Sequence, residues 1–245
     1  MSDAGAARRE LDRLLAAEAA DLSGTLPASF GAGVEAYVAM LLDENGRTNL
    51  TRIVEPEAVG RLHLLDALSA LPLIDAIAPT TAVDLGSGGG VPGIVLALGR
   101  PGLTWNPVDS VRKKADAMRR FVAELGLDNV EVVAERAESL GRDARHRAIH
   151  GLVTARACAA LPVLVEYALP LLHHGGALIA WKGAITEDER RAGRSAAALL
   201  GGEVEVRATG VAVLGDHRFV VVHKVGATGD RFPRRVGGPA RRPLG

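Results

Sequence analysis

The most constraining stretch of this chain is Thr81-Ala82-Val83-Asp84-Leu85, which runs directly into Gly86-Ser87-Gly88-Gly89-Gly90-Val91-Pro92-Gly93. A short apolar run that meets glycines at once, and is followed by a second apolar run, reads as a buried strand, a tight loop and a helix. Glycines at such a loop let the backbone turn with positive φ and let a ligand approach closely. In an open parallel sheet this loop lies at the carboxyl end of a strand, where ligands bind. A chain carrying this unit is steered toward an α/β fold with a site at one edge of its sheet.

The remaining pattern agrees. Strands are expected at 81–85, 104–109, 130–135, 151–156, 176–183, 204–209 and 218–225, with helices over 92–98, 111–127, 161–172 and 187–200 between most of them. Alternating strands and helices imply a mostly parallel sheet covered on both faces. The last two strands have no helix between them and read as an antiparallel edge pair. Pro107 weakens the second strand. The expected fold class is therefore α/β, Rossmann-like, a mostly parallel seven-stranded sheet with an antiparallel edge pair, preceded by an N-terminal helical segment. In residues 1–80, Leu11, Leu14, Leu15 and Ala19, then Val34, Tyr37, Val38, Leu41 and Leu42, recur at helical spacing, and a third helix is expected from about Pro56 to Leu71. Residues 81–228 form the ligand-binding domain. Residues 229–245, rich in Gly, Pro and Arg, read as an irregular basic tail.

Composition limits the class further. The 245 residues are 48% apolar and 24% charged, which fits a globular domain and excludes wholesale disorder. Aromatics are only 3%, so the core must be built from Ala, Val and Leu. Cys158 is the single cysteine, so no internal disulfide is expected, and no Cys/His cluster has metal spacing. A reducing, cytoplasmic compartment is the expectation. The first residues mix both signs of charge without an apolar core, unlike a signal peptide, and no apolar run approaches the roughly 18 residues of a membrane span. Net charge is zero, yet residues 1–80 carry six basic and twelve acidic side chains, whereas 231–245 carry five arginines and no acid. Arg outnumbers Lys 25 to 4. Genomic base composition and phosphate recognition by guanidinium both produce such a ratio.

The glycine loop has an acidic partner. The second strand ends at Asp109, 21 residues after Gly88. A carboxylate there can accept both hydroxyls of an adenosine ribose, so loop and acid together read as an adenosine-cofactor site. A dinucleotide needs G-x-G-x-x-G with a pyrophosphate on the helix amino terminus; counted from Gly86 the sixth position is Val91, and only the late spacing Gly88-Gly90-Gly93 fits. S-adenosylmethionine (SAM) has no phosphate and suits Gly86-Ser87-Gly88-Gly89-Gly90 directly. Asp84 adds weight to SAM, since a carboxylate suits the cationic amino group of its methionine and opposes a pyrophosphate. A purely structural glycine turn is the third reading. Arg136-Ala137-Glu138 follows the third strand, where backbone groups and a polar side chain can bond an adenine edge; a solvated loop is the bland alternative.

Several separated segments resemble one family, the 16S ribosomal RNA guanine-N7 methyltransferases called RsmG or glucose-inhibited division protein B. They are Asn49-Leu50-Thr51, His63 to Leu68, Asp84 to Gly88 with Val91-Pro92-Gly93-Ile94, Val108-Asp109-Ser110 with Lys113-Lys114, Arg136-Ala137-Glu138, Ala155-Arg156-Ala157, Trp181-Lys182-Gly183 and Arg231-Phe232-Pro233-Arg234-Arg235. Where the family carries Asp-Ser-Leu this chain has Asp66-Ala67-Leu68, and where it carries Phe-Asp this chain has His150-Gly151. The resemblance implies a SAM-dependent methyltransferase fold, with SAM contacts at Gly86, Gly88, Val91, Asp109, Ala137, Glu138 and Arg156. It implies one guanine of 16S ribosomal RNA, near the decoding region of the small subunit, as substrate.

Guanine N7 carries a free in-plane lone pair at neutral pH, so no general base is required and catalysis rests on positioning. Arg156, at the end of the fourth strand, is expected to orient the guanine or hold the methionine carboxylate, or else to be a structural ion pair. Lys182, at the end of the fifth strand, is the second catalytic candidate. His63 and Asp66 lie three apart on one helix face and read as RNA contacts, as a closure over SAM, or as an interhelical hydrogen-bond pair. Arg112, Lys113, Lys114, Arg119 and Arg120 form one basic group. Arg231, Arg234 and Arg235, with Arg241 and Arg242, form another, expected to meet phosphates and to leave SAM binding untouched. A tail strapped down by Phe232 and Leu244 is the competing reading. The expected protein is a monomer without metal or membrane contact, acting on 16S rRNA or the small subunit. An NAD-dependent oxidoreductase and a non-catalytic nucleotide- or RNA-binding regulator are the alternatives.

Overall fold

A computed structural model describes residues 2–245. Six strands form one sheet: β1 (Thr81–Leu85), β2 (Thr104–Val108), β3 (His150–Arg156), β4 (Leu172–Lys182), β5 (Gly202–Ala208) and β6 (Arg218–Lys224), in the order β2-β1-β3-β4-β6-β5. β1 to β4 run parallel, while β6 is antiparallel to both β4 and β5, which gives the expected edge pair. The order reverses beside β1: the chain leaves β1 toward β2 on one side and returns to β3 on the other. That switch point opens a crevice between the carboxyl ends of β1 and β3.

The sheet has six strands where the sequence suggested seven, and Pro107 explains the difference. Residues 130–133 lie alongside β2 and form only isolated bridges, Trp105 with Val130 and Val108 with Val133. The rungs Trp105 N–H to Asn129 O (2.8 Å), Glu131 N–H to Trp105 O (2.9 Å), Val133 N–H to Pro107 O (2.9 Å) and Asp109 N–H to Val133 O (3.2 Å) are all present. The missing rung would run from residue 107 to Glu131 O, and proline has no N–H to give. The Asn106 side-chain amide donates to Glu131 O instead, at 3.2 Å. Proline therefore interrupts the neighbouring strand and spares its own.

Alternate residues of the central strands feed two apolar clusters. Ala82, Leu152, Ile179 and Phe219 face one side, where Leu11, Leu14, Tyr37, Leu41, Leu64 and Leu68 of the first 80 residues join Trp105, Met118 and Phe121. Val83, Val153, Leu178 and Val220 face the other, against the helix Leu161–Ala168, Leu200 and Phe232. The N-terminal helices, chiefly Asp3–Glu18 and Phe30–Thr48, are thus a cover for one face of the sheet.

The expected helix from Pro56 is broken into three pieces: α-helix Pro56–Val59, π-helix Gly60–Leu65 and α-helix Asp66–Leu68. Gly60 sits where a Cβ would come within 2.7 Å of the Ala7 carbonyl oxygen, so only glycine allows this close crossing with Asp3–Glu18. The π-turn changes the angular spacing of His63 and Asp66 from that of an α-helix, and both are buried. Tyr37, also buried, donates its hydroxyl to Gly89 O at 2.9 Å, which fastens the N-terminal layer to the glycine loop.

Candidate active site

The glycine loop owes its shape to a carboxylate beneath it. Asp84, at the end of β1, is fully buried; its Oδ2 accepts from Ser87 Oγ (2.5 Å) and Gly93 N–H (3.0 Å), and its Oδ1 from Thr154 Oγ1 (2.8 Å). A Cβ on Gly93 would stand 2.8 Å from Asp84 Oδ2, so glycine is what permits the contact. Burial pushes the Asp84 carboxyl up to about 6, against the lowering effect of these donors. Asp84 does not face a cavity, so the expectation that it meets a cofactor amino group is corrected: both oxygens are used to fold the loop. At Gly86, φ is +70° and a Cβ would lie 2.8 Å from Cys158 Sγ, a conformation and a spacing that exclude a side chain.

Three connected hollows follow the carboxyl edge of the sheet. The first, about 580 Å3, is lined by Gly86, Asp109, Arg136, Ala137, Glu138 and Tyr167 among others. Asp109 projects from the end of β2; its Oδ2 accepts from Gly88 N–H (3.0 Å) and its Oδ1 from Val111 N–H (2.8 Å). One carboxylate thereby ties the glycine loop to the next turn and stays at the cleft surface. The second hollow, about 200 Å3, lies over the loop and includes Gly88, Val91, Lys114 and Arg156. The third, about 640 Å3, is lined by Thr51, Arg52, His63, Asp66, Arg156, Trp181, Lys182 and His217. Ala157 belongs to all three and has φ +52°, a left-handed value uncommon outside glycine and frequent at functional sites.

Between the loop and the third hollow lies a polar network. Arg156 Nη1 donates to Leu62 O (2.6 Å) and approaches Asp66 Oδ2 (3.3 Å), while its Nη2 donates to His63 Nδ1 (3.0 Å). His63 Nδ1 is therefore the acceptor, and Nε2–H donates to Thr51 Oγ1 at 2.7 Å. Burial first, and then the Arg156 charge, push this imidazole down to about 4. His217 Nδ1 donates to Asp66 Oδ1 at 3.0 Å, and Trp181 Nε1 donates to Asp66 O at 2.9 Å. Lys182 Nζ donates to Ala159 O (2.9 Å) and Glu189 Oε1 (2.8 Å).

The sequence candidates divide accordingly. Gly86, Asp109, Ala137 and Glu138 meet on the first cleft; Gly88 and Val91 line the loop hollow; Arg156 and Lys182 line the third. His63 lines the third hollow with both ring nitrogens engaged inside the fold, so it offers no free ring nitrogen there. Arg234 is corrected as well: its N–H, Nε and Nη2 all donate to the buried Glu166, so it is not a free phosphate ligand. Arg231 and Arg235 remain exposed. Sequence reasoning gave no site role to Thr51, Arg52, Tyr167 or His217; the adjacent pair Thr51-Arg52, Tyr167 and His217 come from separate parts of the chain and carry no spacing signal.

The family of rRNA small subunit methyltransferase G, GidB, matches residues 32–213. This chain belongs to that family. Relatives named ribosomal RNA small subunit methyltransferase G include one from Deinococcus deserti, 46% identical over 85% of this chain and 86% of its own, and one from Moorella thermoacetica, 37% identical over 96% and 99%. Among solved structures, the O-methyltransferase TomG from Streptomyces achromogenes, in complex with SAM, superposes with a TM-score of 0.55 at 18% identity, covering 88% of this chain and 98% of that one. A methyltransferase from Geobacter sulfurreducens gives 0.54 at 17%, covering 84% and 94%. The chain is thus a SAM-dependent methyltransferase in fold and family. The Gly93 N–H at the start of the loop helix is already held by Asp84 and is not free to bind a pyrophosphate, so the loop suits SAM, which has no phosphate, better than a dinucleotide. Among the described residues, no helix is long and apolar enough to cross a membrane.

Proposed function

We propose that this protein methylates N7 of one guanine in 16S ribosomal RNA, with the cofactor in the 580 Å3 cleft and the guanine in the 640 Å3 hollow. The observation that carries the reading is the meeting of these two spaces at Ala157, where the ends of β1 and β3 flank the switch point of the sheet. Bound SAM would supply an electrophilic methyl group. Asp109 would accept ribose hydroxyls, Glu138 and the Ala137 backbone would bond the adenine edge, and the loop at Gly86 and Gly88 would let the methionine end pass close to the backbone.

On the substrate side the chain has to orient a base rather than remove a proton. N7 of guanine holds its lone pair free at neutral pH, and orientation alone can account for on the order of 7–11 kcal/mol of a barrier. Arg156 suits that task. Its guanidinium is fixed by Leu62 O, Asp66 and His63, so the wall it forms is rigid. The Asp66 carboxylate beside it offsets positive charge, which favours a base that becomes cationic on N7 methylation. A purine edge hidden in folded RNA must be exposed or flipped before it reaches this hollow. Exposed Arg52 at its rim and Lys114 at the loop would meet an incoming phosphate backbone, whereas Lys182 is already held by Ala159 O and Glu189.

The test is transfer of labelled methyl from SAM to small ribosomal subunits, and to naked 16S rRNA, from cells lacking this gene, followed by mapping of N7-methylguanine. Label at a single guanine N7 supports the reading. Label elsewhere, or none with correctly unmodified subunits, refutes it.

A further inference from the structure

The last residues of the chain look in sequence like a basic arm, yet they are anchored at several points. Arg147 donates to Phe232 O (2.7 Å) and Thr228 O (3.1 Å), and Arg142 donates to Arg231 O (3.1 Å). Phe232 is buried in the apolar cluster on the Leu161–Ala168 side of the sheet. Arg234 then grips Glu166 with its N–H (2.8 Å), Nε (2.8 Å) and Nη2 (2.5 Å). The Glu166 side chain has 0% exposure, and a carboxylate there is tolerable only when this guanidinium is docked on it. Three residues further on, Gly237 N–H donates to Glu138 Oε1 at 2.8 Å. The short helix Gly238–Arg241 follows, and Ala240 and Pro243 enter the lining of the 580 Å3 cleft. Leu244 packs against the same apolar cluster as Phe232.

These contacts converge on one end of the cleft. Ala137, Val163, Tyr167, Ala240 and Pro243 line it with mostly apolar surface, beyond the ribose-binding candidate Asp109. Ligand sites of this kind combine an apolar wall with a few placed polar groups, and a planar purine matches such a wall. Glu138, the acid proposed to bond the adenine edge, is the same residue that receives Gly237 N–H. Docking of the tail and placement of that acid are therefore one event.

We infer that residues 237–243 are part of the cofactor-binding site: Ala240 and Pro243 complete the wall against the adenine of SAM, and the Arg234–Glu166 ion pair holds them there. The inference rests on the SAM reading of the cleft and assigns the tail to the cofactor rather than to RNA. Arg234 and Glu166 act through the tail and are positioning residues. Ala240 is itself a surface residue, so a larger side chain at this site obstructs the cleft without entering the core.

The experiment is calorimetric titration of SAM into the full-length protein, into a chain ending at Val236, and into Ala240→Trp, with a thermal melt and an RNA-binding salt series on each. Both variants are expected to raise the SAM dissociation constant at least about tenfold, because each removes or fills one wall of the site. Ala240→Trp is expected to keep the wild-type melting temperature, and it decides the matter if the shortened chain does not fold. A folded Ala240→Trp protein that binds SAM as the wild type does overturns the inference while leaving the cofactor reading intact. A wild-type protein that gives no heat with SAM removes the cofactor reading, and this inference with it. Loss of RNA salt dependence in the shortened chain, with SAM affinity unchanged, also overturns it.

Discussion

Replacing Arg156 by alanine tests the network that separates the two large hollows. The guanidinium gives up Leu62 O at 2.6 Å, His63 Nδ1 at 3.0 Å and Asp66 Oδ2 at 3.3 Å. Asp66, whose side chain is 2% exposed, is then left with His217 alone on its other oxygen. Breaking a buried ion pair from one side costs about 3–5 kcal/mol, because the surviving charge has lost its compensation. The Arg156 side chain keeps 18% exposure on the hollow, so water can enter in its place, and the loss falls at the low end, about 3 kcal/mol. For a chain of this size that lowers Tm by about 6–12 °C. Neutralising Asp66 first should remove part of the cost: in an Asp66→Asn background, Arg156→Ala is expected to lose only about 1–2 kcal/mol, a coupling well above additivity error. The assay is denaturant unfolding of the four proteins of this cycle at neutral pH. Stabilities that add within about 0.3–0.5 kcal/mol would show that the two side chains are not coupled, and the argument from the buried carboxylate would fail.

Asp109→Asn removes the charge and keeps only one of the two acceptors that Gly88 and Val111 N–H use, so SAM affinity is expected to fall by about 1.5–3 kcal/mol, read by calorimetry, and an unchanged dissociation constant would cancel the ribose assignment. His63 is held near 4 when folded, so the unfolded chain takes up its proton first as pH falls; stability should decline from about pH 6.5 to about 4, by up to about 3 kcal/mol from this group. His63→Gln should flatten that part of the curve. The comparison must be between proteins, because Asp84, raised to about 6, stabilises in the opposite sense over the same acid range. Ala78 closes the helix Leu71–Ile77 at φ +50°, so Ala78→Gly is expected to raise Tm through relief of about 1 kcal/mol of left-handed strain, and a lower Tm would count against that account.

Local chemistry was legible in the sequence wherever neighbours in the chain are neighbours in space. Gly86 to Gly93 announced the loop, the period-two and helical runs announced the alternating layers, and Asp109 followed at the end of the next strand, because strand ends and loops are set by short-range backbone preferences. Asp84 was legible as important and was misassigned, since sequence cannot tell which way a strand-end carboxylate turns, and here Ser87, Thr154 and Gly93 turn it inward. Pro107 was legible as a weakness, but the sheet decided which strand bears it, because odd-numbered residues of β2 face residues 130–133 and even-numbered ones face β1. In the basic tail, Arg234 was misread for the same kind of reason. Five arginines look free in one dimension, yet the carboxylate that pairs with Arg234, Glu166, lies 68 residues before it. Charge counts along a chain record composition alone. Whether a charge is free or paired depends on which distant carboxylate the fold buries beside it, and that is settled only when the tail, the helix Leu161–Ala168 and the cofactor cleft pack together.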